Sequence, residues 1–198
     1  MSAVAIPRQE TPAEWRLPYR GTVGMACLII AEAAIFTIFV VAYLYYVGKS
    51  LSGPTPREVL ETPILFTVCL LSSSLTIHLA SKALERGARR AFVGLWLLTI
   101  ALGGAFLFGT AQEWHRLIYE HGLTISTNLF GTTYYSLVGL HGLHVIVGLT
   151  LMAIVALFAV AGYVSREHSR RIGVLSLYWH FVDVVWVVVF TVVYVIGR

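Results

Sequence analysis

Two histidines three residues apart, His141 and His144, sit inside YYSLVGLHGLHVIVGLTL, the apolar stretch from Tyr134 to Leu151. With Leu137 and Gly148 they follow helical spacing, which places both imidazoles on one helix face. Such a pair could ligate a metal ion if another helix supplied a third ligand. It could hold a haem if a histidine faced it across a bundle, or it could hydrogen-bond a carboxylate. A second stretch, YWHFVDVVW from Tyr178 to Trp186, repeats the device with His180 and Asp183 one helical turn apart. Glu32 is the one charge within GTVGMACLIIAEAAIFTIFVVAYLYY. A charged group at the centre of an apolar span costs roughly 2.5–3.5 kcal/mol, so each of these side chains requires a local partner and is a functional candidate. Glu113 and His115 could also bind a metal, but two ligands alone make a poor site, and they read as a polar cap on their helix.

The elements that must position these groups follow from composition. Of 198 residues, 58% are hydrophobic and only 12% charged, and the mean hydropathy is +0.79. Soluble domains run near about 45–50% apolar and about 25% charged, which excludes a soluble reading. Five mainly apolar runs, near 21–47, 62–81, 91–111, 127–162 and 172–197, each match a hydrocarbon core about 30 Å thick. The fourth is long enough to begin as an interfacial segment. The expected fold is therefore all-α, an integral membrane bundle of five transmembrane helices. Glu32 lies about 16 Å into the first of them, near mid-membrane. Ser72, Ser73, Ser74 and Thr76 in the second can hydrogen-bond a neighbouring helix, and His78 reads as an interfacial residue. Cys27 and Cys69 form no C-x-x-C or C-x-x-C-H pattern, so covalent haem attachment and a zinc ribbon are not expected.

Sidedness follows from the basic residues. Ten of the fourteen Lys and Arg residues fall in segments 1–20, 82–90 and 163–171, which alternate crossings place on one side. The positive-inside rule then makes the N-terminus cytoplasmic and the C-terminus periplasmic. Residues 1–20, without a short apolar core or cleavage site, read as a cytoplasmic N-terminal segment rather than a removable signal. Residues 21–198 read as the membrane domain. The net charge of +4 reflects this topology and attraction to anionic lipid head groups. No basic stripe with interleaved aromatics and no Gly-rich phosphate loop appears, so no nucleic-acid or nucleotide partner is expected.

YYSLVGLHGLHVIVG and YWHFVDVVW closely resemble the signature stretches of cytochrome c oxidase subunit III, in the haem–copper oxidase superfamily. Other matches agree in order along the chain: Ala31-Glu32 in the first helix, Pro63 ahead of a Ser-rich second helix, and Gln112-Glu113-Trp114 at the end of the third. The resemblance covers roughly residues 20–197. Longer family members have seven helices, so the chain looks like the short five-helix bacterial form, without the first two. That departure puts in doubt the lipid-holding cleft which long forms make with those two helices.

The resemblance implies a subunit with no catalytic centre, haem, copper or other cofactor of its own. It implies direct packing against an oxidase subunit I that carries the haem and copper, with subunit II and further small subunits nearby. Bound phospholipid, easier oxygen access and support of proton uptake into subunit I complete the expected role, in a bacterial plasma (inner) membrane. The family's intramembrane glutamate maps onto Glu32, beside the helix-four histidines. The expected sites are thus a proton-linked polar cluster of Glu32, His141 and His144, and a helix-packing pair of His180 and Asp183, with no metal ligands. Three rivals remain. A membrane cytochrome b-like haem carrier would use His78, His141, His144 and His180. A proton-coupled transporter would use Glu32 and Asp183, although the chain has no internal repeat. The related accessory subunit of nitric oxide reductase shares the fold.

Overall fold

The computed structural model describes residues 19–50 and 52–197, so most of segment 1–20, with Arg8 and Arg16, and the C-terminal Arg198 lie outside the described residues. Every regular element among the described residues is helical. They are α1 (Arg20–Tyr46), a one-turn α2 (Pro56–Val59), α3 (Ile64–Glu85), α4 (Arg89–Tyr119), α5 (Leu129–Val160) and α6 (Ser169–Phe190). A 3₁₀ turn, Arg166–His168, leads into α6, and a wider-wound π segment, Thr191–Ile196, extends it. Five of these helices are long and apolar enough to cross a membrane, the last counted from Arg166 to Ile196. Hydrocarbon offers backbone groups no water, and a helix satisfies them internally.

Two glycines close the tight turns at the basic end. Gly87, at φ 77°, follows α3, donating from its N–H to Leu84 O while Ala88 N–H donates to Ala83 O. Gly162, at φ 98°, does the same after α5, with bonds to Ala159 O and from Tyr163 to Phe158 O. Both are Schellman stops, which need a residue in the left-handed region. Arg89 Nη2 then donates to Ala159 O at 2.8 Å, tying the two turns together. At the opposite end Asn128 caps α5, its Oδ1 accepting from Gly131 N at 2.8 Å. Its Nδ2 holds the first loop through Ser52 O and Pro54 O, both at 3.2 Å.

α6 is the hub, packing against α1, α3 and α5, while α4 lies between α3 and α5. Trp179 of α6 is wholly buried, and its ring fits between Gly103 of α4 and Gly148 of α5. A Cβ at Gly148 would lie 2.8 Å from that ring. Its Nε1 donates to Ser73 Oγ of α3 at 2.8 Å, so one side chain touches three helices. Phe66 of α3 rides over Gly109 of α4 in the same manner. By contrast α1 buries only Phe36 and Tyr43, half-covers Met25, Phe39 and Val40, and leaves most of its apolar surface open.

One boundary differs from that expected. α4 continues through Glu113 and His115 to Tyr119, since nothing breaks the helix before Gly122, at φ 63°. Glu113 is therefore held inside the bundle rather than in a loose cap. His78 is exposed and lies two turns before the end of α3.

Gly148→Ala should destabilise the protein by about 1–3 kcal/mol through overpacking against Trp179. Gly142→Ala, where a Cβ meets nothing within 4 Å, should hold or raise stability, because Ala is the better helix former by roughly 1 kcal/mol. Thermal denaturation in detergent separates the two, and equal midpoints would contradict this packing. In the same assay Asn128→Ala should cost about 1 kcal/mol as a lost cap, with Asn128→Ser retaining most of it.

Candidate functional site

Among the described residues, Glu or Asp carboxyls inside the bundle meet polar partners at three places. At the contact of α1 with α5, Glu32 Oε2 lies 3.1 Å from His144 Nε2. The other ring nitrogen, Nδ1, lies 2.8 Å from Leu140 O, the carbonyl one turn earlier in the same helix. A carbonyl can only accept, so Nδ1 carries a proton and donates. Nε2 is then either a bare acceptor facing a protonated Glu32, or a second donor facing the carboxylate. In both cases the pair binds a proton between two helices near mid-span. Its side chains are 24% (Glu32) and 12% (His144) exposed, and Phe36, with its ring centroid 5.0 Å from that of His144, closes one side.

His141 is placed differently. It is wholly buried, stacked on Trp186 of α6 with centroids 5.0 Å apart at 29°. Phe106 of α4 meets its ring edge-on at 5.7 Å, and Phe36 at 6.5 Å. Neither ring nitrogen reaches a hydrogen-bond partner among the described residues. One turn therefore separates a histidine that meets a carboxylate on α1 from one caged by aromatic rings on α1, α4 and α6.

The second meeting place is α3 against α6. His180 and Asp183 both converge on Ser74: its hydroxyl donates to Asp183 Oδ2 and lies 2.9 Å from His180 Nδ1. Asp183 is 3% exposed, and its Oδ1 has no partner among the described residues. The sequence carries the serine run as a candidate for interhelical bonds, but its period alone does not select Ser74 as the atom joining the pair. The neighbouring Ser73 instead accepts from Trp179 Nε1.

The third was not foreseen. Tyr194, in the π segment, donates to the Glu113 carboxylate of α4, with its oxygen 3.0 and 2.9 Å from the two carboxyl oxygens. Tyr134 of α5 is wholly buried with its hydroxyl 3.4 Å away. The partners lie 81 and 60 positions apart in the chain, and no local spacing links them. Nearby at the surface, Arg116 pairs with Glu61.

No group of three or more His, Cys, Asp or Glu side chains suited to a metal ion occurs among the described residues. Cys27 and Cys69 are free thiols. The arrangement can bind and pass protons over one or two hydrogen bonds and can fix helices against each other.

Comparison with known proteins is in keeping with this. The family model for cytochrome c oxidase subunit III matches residues 20–198. Cytochrome c oxidase subunit 3 of Alkalihalophilus pseudofirmus is 36% identical over 169 residues, 84% of this chain and 82% of that one. Cytochrome bo(3) ubiquinol oxidase subunit 3 of Pseudomonas aeruginosa is 34% identical over 176 residues, 88% and 84% of the two chains. Cytochrome c oxidase subunit 3 of Synechocystis sp. is 37% identical over 177 residues, 87% and 74% of the two. An all-helical chain with five membrane-length spans, matching over nearly its whole described length, belongs to the cytochrome c oxidase subunit III family.

Proposed function

We propose that this multi-pass chain is the non-redox subunit III of a proton-pumping haem–copper oxidase, which reduces oxygen to water in aerobic respiration. It packs directly on subunit I, with subunit II and smaller subunits completing the complex, and lies in a bacterial plasma membrane. Residues 1–20 face the cytoplasm and residues 21–198 form the membrane domain. The end of the bundle that carries Lys82, Arg86, Arg89, Arg90 and Arg166 is the cytoplasmic one, by the positive-inside rule.

The observation that carries the reading is the contact of Glu32 with His144. A glutamate and an imidazole in hydrogen-bond range at mid-span hold a proton in hydrocarbon, where such a pair is expensive unless it has a use. On α1, the helix with the most open apolar surface, it lies beside a face available to a partner subunit or lipid. In this reading Glu32 and His144 sustain proton uptake into subunit I. His141 supports them from the aromatic cage, and His180 with Asp183 fastens α6 to α3. The open face of α1 suits phospholipid, and a lipid-filled surface eases oxygen access. Relatives named for cytochrome c oxidation and for ubiquinol oxidation are similar to this chain to nearly the same degree. That fits a subunit which does not handle the electron donor.

A tag on this chain should, after gentle detergent extraction, bring down a larger haem-bearing subunit identifiable by mass spectrometry. The isolated chain should show no haem band in the visible spectrum. A stoichiometric haem band in the isolated chain would favour the cytochrome b-like rival instead. Glu32→Gln should assemble with an unaltered haem spectrum while lowering the protons taken up per turnover. Failed assembly or a lost haem spectrum would give Glu32 a structural role only.

A further inference from the structure

The α3–α6 cluster carries chemistry of its own, independent of Glu32 and His144. Ser74 Oγ stands between the Asp183 carboxyl and His180 Nδ1 and is within hydrogen-bond range of both. A hydroxyl has one proton and can donate in one direction at a time. When Ser74 donates to an ionised Asp183, His180 must carry its proton on Nδ1 and donate to Ser74 Oγ. When Asp183 is protonated it donates to Ser74 Oγ, and Ser74 donates to a bare Nδ1.

These two arrangements differ only in where hydrogens sit. Passing from the second to the first breaks the Asp183 O–H bond and forms a new O–H bond on Ser74. Meanwhile the original Ser74 O–H bond breaks and an N–H bond forms at His180 Nδ1. A neutral acid and a neutral imidazole become a carboxylate and an imidazolium. Loss of the Nε2 proton to a base reached from the half-buried edge of the ring, on the His78 side, leaves neutral His180 protonated on Nδ1. The site has then lost one proton net, with Asp183 ionised, its former proton on Ser74 and the former Ser74 proton on Nδ1, and the reverse sequence reloads it.

We propose that Asp183, Ser74 and His180 form a hydroxyl-bridged proton-binding site that loads and unloads through His180. Two further observations support it. Ser74 is the one hydrogen-bond partner of Asp183 among the described residues, since Oδ1 is buried without one, so traffic to the carboxyl runs through that hydroxyl. Beyond His180, the exposed ring of His78 lies 6.5 Å away by centroids, one turn nearer the basic end of the bundle. The site therefore opens toward that end.

The groups facing it from the packed helices are few. α4 has no Asp, Glu, His, Lys or Arg between Arg90 and Glu113. On α6's other side, α1 offers Glu32 and α5 offers His144, and these two meet each other. His141 of α5 is enclosed by rings. His78 is thus the titratable neighbour that the site addresses.

The test is a pH titration by infrared difference spectroscopy, on the membrane complex with which the chain is isolated, whatever its other subunits. Asp183→Asn assigns the carboxyl C=O band, and ¹⁵N-histidine labelling with His180→Gln assigns the ring band. The two bands should change with a single shared midpoint. Ser74→Ala should split it into two, and Ser74→Thr, which keeps a hydroxyl, should restore one. Separate midpoints in the unaltered protein, a carboxyl band silent across the range, or a shared midpoint surviving Ser74→Ala would each overturn the proposal. Should Ser74→Ala not assemble, the unaltered protein decides alone: coincident midpoints sustain the proposal and separate ones end it.

Discussion

Inside hydrocarbon a polar side chain has no solvent to fall back on, so its partner must come from the protein itself; the His141 ring, whose nitrogens meet none among the described residues, is an exception. Such a group left without a partner costs several kcal/mol, and nearly every interhelical bond in this bundle answers that demand. Glu32 reaches across to α5, Asp183 to α3, Glu113 to the last turns of the chain, and the Trp179 and Trp186 indoles to Ser73 and Thr67 of α3. Apolar packing alone would leave the helices free to slide, because lipid is as apolar as a leucine-rich helix face. The polar joints set depth and rotation, and the glycines at 103, 109 and 148 let helices approach until the joints close.

α6 gathers most of these joints because of what its two faces carry. Trp179 and Trp186 reach α3, α4 and α5 and Asp183 reaches α3, while Tyr178 and Phe181 turn toward α5 and α1, with Tyr178 donating to His144 O at 3.2 Å. Glu32 with His144 and Ser74 with Asp183 both fall near the middle of their helices, on opposite sides of α6. Two polar contacts near the middle of their helices, separated by a helix of large side chains, fasten α1 to α5 and α3 to α6. The buried ring of His141 against Trp186 belongs to the wall between them.

Much of this could be read from the chain alone, for physical reasons. Runs of apolar residues long enough to span a bilayer have one structural solution, so the five helices and their order were legible. Glu32, His144, His180 and Asp183 stood out because ionisable residues are rare at that depth. What spacing could not supply was rotation about each helix axis. His141 and His144 sit on one stripe, yet a difference of one turn gives the first an aromatic cage and the second a carboxylate. His180 and Asp183 looked able to satisfy each other as an i, i+3 pair, and instead share a serine from another helix. The Glu113–Tyr194 contact was invisible because α4 runs on past its apolar stretch and brings Glu113 back inside.

If mid-span ionisable side chains act as joints between helices, a double-mutant cycle on Glu32 and His144 reads the joint most directly. Glu32→Leu, His144→Leu and the double variant would be compared by thermal unfolding of the isolated complex. Each single change should cost about 1–3 kcal/mol by leaving its partner unpaired. The double change should cost less than the two together, by about 0.6 kcal/mol or more. Costs that simply add, to within about 0.3 kcal/mol, would show that the two side chains do not hold α1 to α5.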